Sequence, residues 1–173
     1  MTPVRLLPRL LAFLVDWLVI AAWGGLLFAA VMLGNRGEPP RFRGPWSAQA
    51  VGLVTLTLPV VLYFALSESF PARASLGKRA LGLVVVEEGG GRLPFRSSLL
   101  RTAAKLAPWE LGHTVAQQAV WSGEGGVPIW VWLPMAASFL GPLWWAVSIA
   151  ATGRAPYDRW AAARVVRRRE ARG

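Results

Sequence analysis

Residues 98–121, SLLRTAAKLAPWELGHTVAQQAVW, decide how this chain is arranged. Leu99, Leu100, Ala103, Ala104, Leu106 and Ala107 recur at helical spacing, with Arg101 and Lys105 on another face. By hydropathy alone the segment is an amphipathic helix lying in a membrane interface. The basic residues of the whole chain argue instead that it crosses. If residues 98–121 stay on the surface, the 19 Lys and Arg divide almost evenly between the two sides. If they cross, sixteen fall on one side and three on the other, the bias that places basic loops in the cytoplasm. The expectation is therefore four crossings with both termini cytoplasmic. Arg101 and Lys105 then sit in the first turns of this helix, where they can snorkel to the interface.

The flanking sequence supplies the other spans. Residues 10–33 are apolar apart from Asp16 and, at about 1.5 Å per residue, exceed a hydrocarbon core of roughly 30 Å. This is too long for a signal-peptide core, so it reads as an uncleaved first helix. Residues 48–66 carry no charge, and Pro59 within them is tolerable where a neighbour re-satisfies the freed carbonyl. Residues 127–151 are uncharged too, with Trp130, Trp132, Trp144 and Trp145 placed like an interfacial belt. Residues 152–173 form a basic tail. Composition agrees with a bilayer solvent: 54% of the 173 residues are hydrophobic and 16% charged, against about 25% charged in a soluble domain.

Two segments depart from the helical pattern. Leu81 to Glu88 is short and β-branched and runs into Gly89-Gly90-Gly91, so it reads as a strand ending in a turn. Leu83–Val86 is expected to pair with Arg164–Val166 on the cytoplasmic side. The fold class is thus an all-α membrane protein, a single domain over 1–173. It is a bundle of four transmembrane helices with a short cytoplasmic β-hairpin-like element.

The net charge of +10 reads as membrane-flanking charge and not as a nucleic-acid surface, because the basic residues lie between apolar runs. The run Arg167-Arg168-Arg169 suits anionic lipid headgroups. Cysteine is absent, which excludes disulfides, thiolate metal sites and cysteine nucleophiles. Gly77-Lys78 lacks the rest of a phosphate-binding loop, and no G-x-S-x-G is present. The expectation is no enzyme, no cofactor and no bound metal.

Six residues are candidates for function. Asp16 is a costly carboxylate in mid-helix and calls for a partner; it is either an ion or proton site or half of a structural pair with a basic residue, Arg9, Arg159 or one from Lys78-Arg79. Glu110 and His113, three apart on one helical face, are too few ligands for a catalytic metal and read as an intramembrane hydrogen-bonded contact. Asp158 and Arg159 follow the last helix as cap or bridge. Ala21, Gly25 and Ala29 repeat every four residues and permit close helix approach.

Three stretches in this order resemble the RDD family of small membrane proteins: Arg9-Leu-Leu-Ala-Phe-Leu-Val-Asp16, Ser75-Leu-Gly-Lys-Arg-Ala-Leu-Gly-Leu-Val-Val-Val86, and Tyr157-Asp158-Arg159-Trp-Ala-Ala-Ala-Arg-Val-Val166. The family commonly carries His where this chain has Tyr157, so a relay through that histidine is not carried over. The resemblance implies an integral membrane protein and points to transport. Two functions follow as expectations: transport of ions or small solutes by an oligomer, or an accessory role docked on a partner membrane protein. Transport predicts that Asp16, Glu110 and His113 converge on a wet site; the accessory role predicts dry pairs and an exposed small-residue face.

Overall fold

The computed structural model describes residues 4–171; Met1 and Gly173, the ends whose cytoplasmic location the charge pattern predicts, lie outside the described residues. Helix α1 spans Leu6–Gly34 and α2 spans Pro45–Ser69. Helix α2 starts on Pro45, whose missing N–H costs nothing at a helix start, and Ser47 Oγ accepts the Gly44 N–H at 3.1 Å. Its middle loosens into a π turn over Leu53–Thr57, just ahead of Pro59. Pro59 cannot donate to the Thr55 carbonyl, four residues earlier. The Trp23 indole of α1 donates to that carbonyl instead, at 3.0 Å.

After α2 come a five-residue helix α3, Leu76–Ala80, and strand β1, Leu83–Glu87. Helix α4 spans Phe95–Ser122 and α5 spans Trp132–Thr152. Gly153 ends α5 in the left-handed region (φ 71°), returning its N–H to the Ile149 carbonyl at 2.8 Å. A second five-residue helix, α6 over Pro156–Trp160, leads into β2, Ala163–Arg167. Among the described residues, three helical stretches are long and apolar enough to cross a membrane: Leu6–Gly34, Pro45–Ser69 and Ile129–Thr152. Helix α4 has the length, at 28 residues, but carries Arg96, Arg101, Lys105 and Glu110. Helices α1, α2 and α4 extend a few residues beyond the runs expected at 10–33, 48–66 and 98–121, whereas α5 begins at Trp132, inside the run expected at 127–151.

β1 and β2 pair antiparallel with Val85 opposite Val165 and Leu83 opposite Arg167. The expected pairing is present, but it is not a hairpin: α4, α5 and α6 lie between the strands. So small a sheet is marginal alone, and here both faces are covered. Leu83, Val85, Ala163 and Val165 pack with Val4, Ala12 and Leu93 on one face; Val84, Val86 and Val166 pack with Ala74 on the other.

The two strand units are copies of one design. α3–β1 and α6–β2 are each a five-residue helix and a five-residue strand, joined through a residue of positive φ, Gly82 (65°) or Ala162 (48°). The bonds between them match as well: Glu88 N–H donates to Ala162 O at 2.9 Å and Arg168 N–H to Gly82 O at 2.8 Å. The register is symmetric about Val85 and Val165, so an approximate two-fold axis passes between them. Each unit follows a long apolar helix, α2 or α5.

Candidate functional site

Where the helix ends meet the strand pair, five charged side chains form a continuous buried chain. Arg9 of α1 donates to Asp158 Oδ2 at 2.6 Å, and Arg101 of α4 donates to Asp158 Oδ1 at 2.8 Å. Arg101 also donates to Glu68 Oε2, at 2.5 Å, and Lys78 of α3 donates to Glu68 Oε1 at 2.8 Å. Glu68 and Asp158 have no solvent exposure and Arg101 only 2%. A charge so placed is tolerable only when paired and hydrogen-bonded, and removing one partner typically costs about 3–5 kcal/mol. The chain ties α1, α2, α3, α4 and α6 together at one end of the molecule.

Asp158 carries the densest set of contacts. It caps α6 by accepting the Ala155 N–H at 3.2 Å while it takes both guanidiniums. Burial by itself raises its pKa, but Arg101 and then Arg9 outweigh that and hold the carboxyl below the usual aspartate range. Arg9 spends its other donors on the Val4 and Gly153 carbonyls, at 3.1 and 2.7 Å. Tyr157 lies beneath the Arg101 guanidinium, 5.3 Å from ring centroid to Cζ, and edge-on to Trp145. Burial first, and the Asp158 carboxylate second, push its hydroxyl up to about 12, so it stays neutral.

Asp16 is joined to this chain only through Ser75. Contrary to the expectation of a basic partner, it makes no ion pair among the described residues. Its Oδ2 accepts from Ser75 Oγ at 2.6 Å, and its Oδ1 accepts from the Gly77 N–H at 2.8 Å and the Tyr63 hydroxyl at 3.0 Å. Three donors, one of them backbone, hold the carboxylate in a site that is 1% exposed. The close approach requires glycine: a Cβ on Gly77 would lie 1.9 Å from the Ala12 carbonyl oxygen of α1.

The remaining candidates lie elsewhere. Glu110 takes the Gln49 side-chain amide and, at 2.6 Å, the Thr57 hydroxyl, both from α2; His113 Nδ1 is 3.6 Å away. This second polar contact, between α2 and α4, is separate from Asp16. Asp16 and His113 line one cavity, described next, but Glu110 is not among its lining residues, so the three do not form a single cluster. Arg159 bonds the Thr152 hydroxyl at 2.8 Å at the surface and takes no part in the buried chain. Glu68, Ser75 and Tyr63 were not candidates. Glu68 lies just after an uncharged run, where a charge is ordinary and gives no signal, and the hydroxyls carry none of their own in a sequence.

Beside the chain lies a cavity of about 600 Å³, between α1, α4 and α5. Arg9, Asp16, Lys78, Arg101 and Lys105 line one end, and the rest is mostly aromatic and aliphatic, with His113 and Ser138 as polar groups.

No curated protein and no solved structure matched the chain. A family model did, over residues 3–162, a range that holds Arg9, Asp16, the α3–β1 unit and Asp158. This chain belongs to the RDD family, whose members are membrane proteins.

Proposed function

We propose that the protein is a four-crossing cell-membrane protein, cytoplasmic at both ends, that pairs with a second copy of itself through α1 and serves, as that dimer, as a non-enzymatic accessory subunit. Parity supports the fourth crossing. β1 and β2 are paired and so share a side of the membrane, while α4 and α5 lie between them in the chain. If α5 crosses, α4 must cross as well. The positive-inside bias places that shared side in the cytoplasm.

The observation that carries the accessory role is how the polar groups are spent against how α1 is left. Within the bundle most of them are consumed in ion pairs and hydrogen bonds, one set around Glu68 and Asp158 and another around Glu110. The outer half of α1, in contrast, presents Ala21, Gly25 and Ala29 as exposed positions, and nothing lies within 4 Å of a Cβ built on Gly25. Small residues at this spacing let a second helix approach closely in lipid. The occupant we commit to is a second copy of the chain.

The chain has no cysteine, so Gly25→Cys gives a single thiol. In liposomes it should form disulfide-linked dimers on mild oxidation, and Leu143→Cys, on the lipid face of α5, should not. Equal cross-linking of the two variants, or of neither, would overturn the docking surface. The second reading is transport of a small solute, favoured by the cavity; it then resides in the assembled oligomer, and liposome flux assays on dimer-defective variants test it.

A further inference from the structure

The charges gathered around the buried chain are not balanced. Arg9, Lys78, Arg101 and Lys105 face the carboxylates of Asp16, Glu68 and Asp158, and the cation left over is Lys105. Its ammonium lies 3.4 Å from the Phe64 ring centroid, and no carboxylate approaches it within ion-pair distance among the described residues. Ring faces attract a cation but do not neutralise it. Lys105 lines the cavity.

The cavity itself is amphipathic in one direction. Its cationic end lies at the level of the strand pair, and from there Phe13, Trp17, Trp109 and Phe139 line it away from the charges, with His113 and Ser138 the polar groups among them. It opens sideways: α1 and α5 barely touch, and the edge residues Leu10 (45%) and Phe139 (73%) are exposed. In a membrane that opening faces lipid. A volume of about 600 Å³ suits a headgroup with the upper part of an acyl chain, within the ordinary range of roughly 300–1,000 Å³ for ligand sites.

We propose that this cavity is a lateral site for one acidic phospholipid, whose phosphate pairs with Lys105 and whose acyl chain lies between α1 and α5 against Phe13, Trp17, Trp109 and Phe139. Basic pockets between transmembrane helices on the cytoplasmic side take anionic headgroups for the same electrostatic reason. The apolar walls and the sideways opening favour a membrane lipid over a free anion from water. The site is independent of how the outer half of α1 docks, because it lies at the other end of that helix.

The test is native mass spectrometry of the delipidated full chain offered equal amounts of phosphatidylglycerol and phosphatidylcholine. The wild type should retain one phosphatidylglycerol in preference. Lys105→Met should lower that retention about fivefold or more, on the scale of one basic residue's contribution, while Lys105→Arg keeps it. Lys105→Met breaks no ion pair and should fold. Ala146→Phe, which fills the cavity from α5, should abolish retention without touching a charge, and it carries the test should Lys105→Met fail to fold. Inorganic phosphate should not compete. Equal retention of both lipids, retention unchanged in Lys105→Met or Ala146→Phe, or displacement by phosphate would each overturn the proposal, the last by showing a site for a soluble anion.

Discussion

Asp16 shows how far a single residue can be read. A carboxylate inside an apolar run announces that something must hold it, and that much is legible in the sequence. Its holders are not, because they come from 47 to 61 residues away and one is a backbone N–H. Asp16→Ala should destabilise the protein by about 2–4 kcal/mol, since the Gly77 N–H is left buried without an acceptor. Asp16→Asn should be milder, the amide oxygen still accepting, and thermal melting in detergent reads the difference. Because no cation touches Asp16, charge-swapped pairs with Arg9 or Arg159 should not rescue the Ala variant. Gly77→Ala should be worse than either, for its Cβ meets the main chain of α1, which cannot rotate away; folded yield should collapse. Asp158 gives a pH dependence. Its folded pKa lies below the unfolded value of about 3.9, so its stabilisation is complete well above pH 3.9 and is lost as pH falls toward the folded value. The melting temperature should drop as pH is lowered below about 4, and Asp158→Asn should start lower at neutral pH and fall less.

At the scale of elements, the strand pair does the joining. Its β-branched runs were visible in Leu83–Val86 and Arg164–Val166, and so was their pairing. The two-fold relation between the α3–β1 and α6–β2 units was not, because only the strand positions resemble one another. The helix positions differ in the residues that matter: Lys78 of α3 and Asp158 of α6 sit at the same place in each unit with opposite charge, and each reaches a different member of the buried chain. Glu68 escaped for a related reason, since a lone charge at a helix end has an ordinary solvated explanation. The pairing makes a direct prediction. Val84→Cys with Val166→Cys should form a disulfide in the otherwise cysteine-free chain, linking residues that sit directly opposite in the register; gel mobility after limited proteolysis between β1 and α4 should show the two halves still joined. Val84→Cys with Val127→Cys, in the loop between α4 and α5, should release the two halves.

Over the whole molecule, the account is of a bundle bolted at one end. The buried charges and the paired strands fasten α1, α2, α4 and α5 where their polar ends gather, while the far halves of α1 and α5 remain lipid-facing and loosely packed. That asymmetry is what places the cavity between them and leaves the small-residue stripe exposed. Its central claim is that α4 crosses the membrane despite its charges, because paired strands on one side leave an even number of crossings between them. Labelling of single-cysteine variants with a membrane-impermeant maleimide in intact cells tests this directly. Gly44→Cys and Gly125→Cys should react from outside and Gly90→Cys only after the cells are opened. A Gly125→Cys that reacts only after opening would contradict the account, returning α4 to the membrane surface.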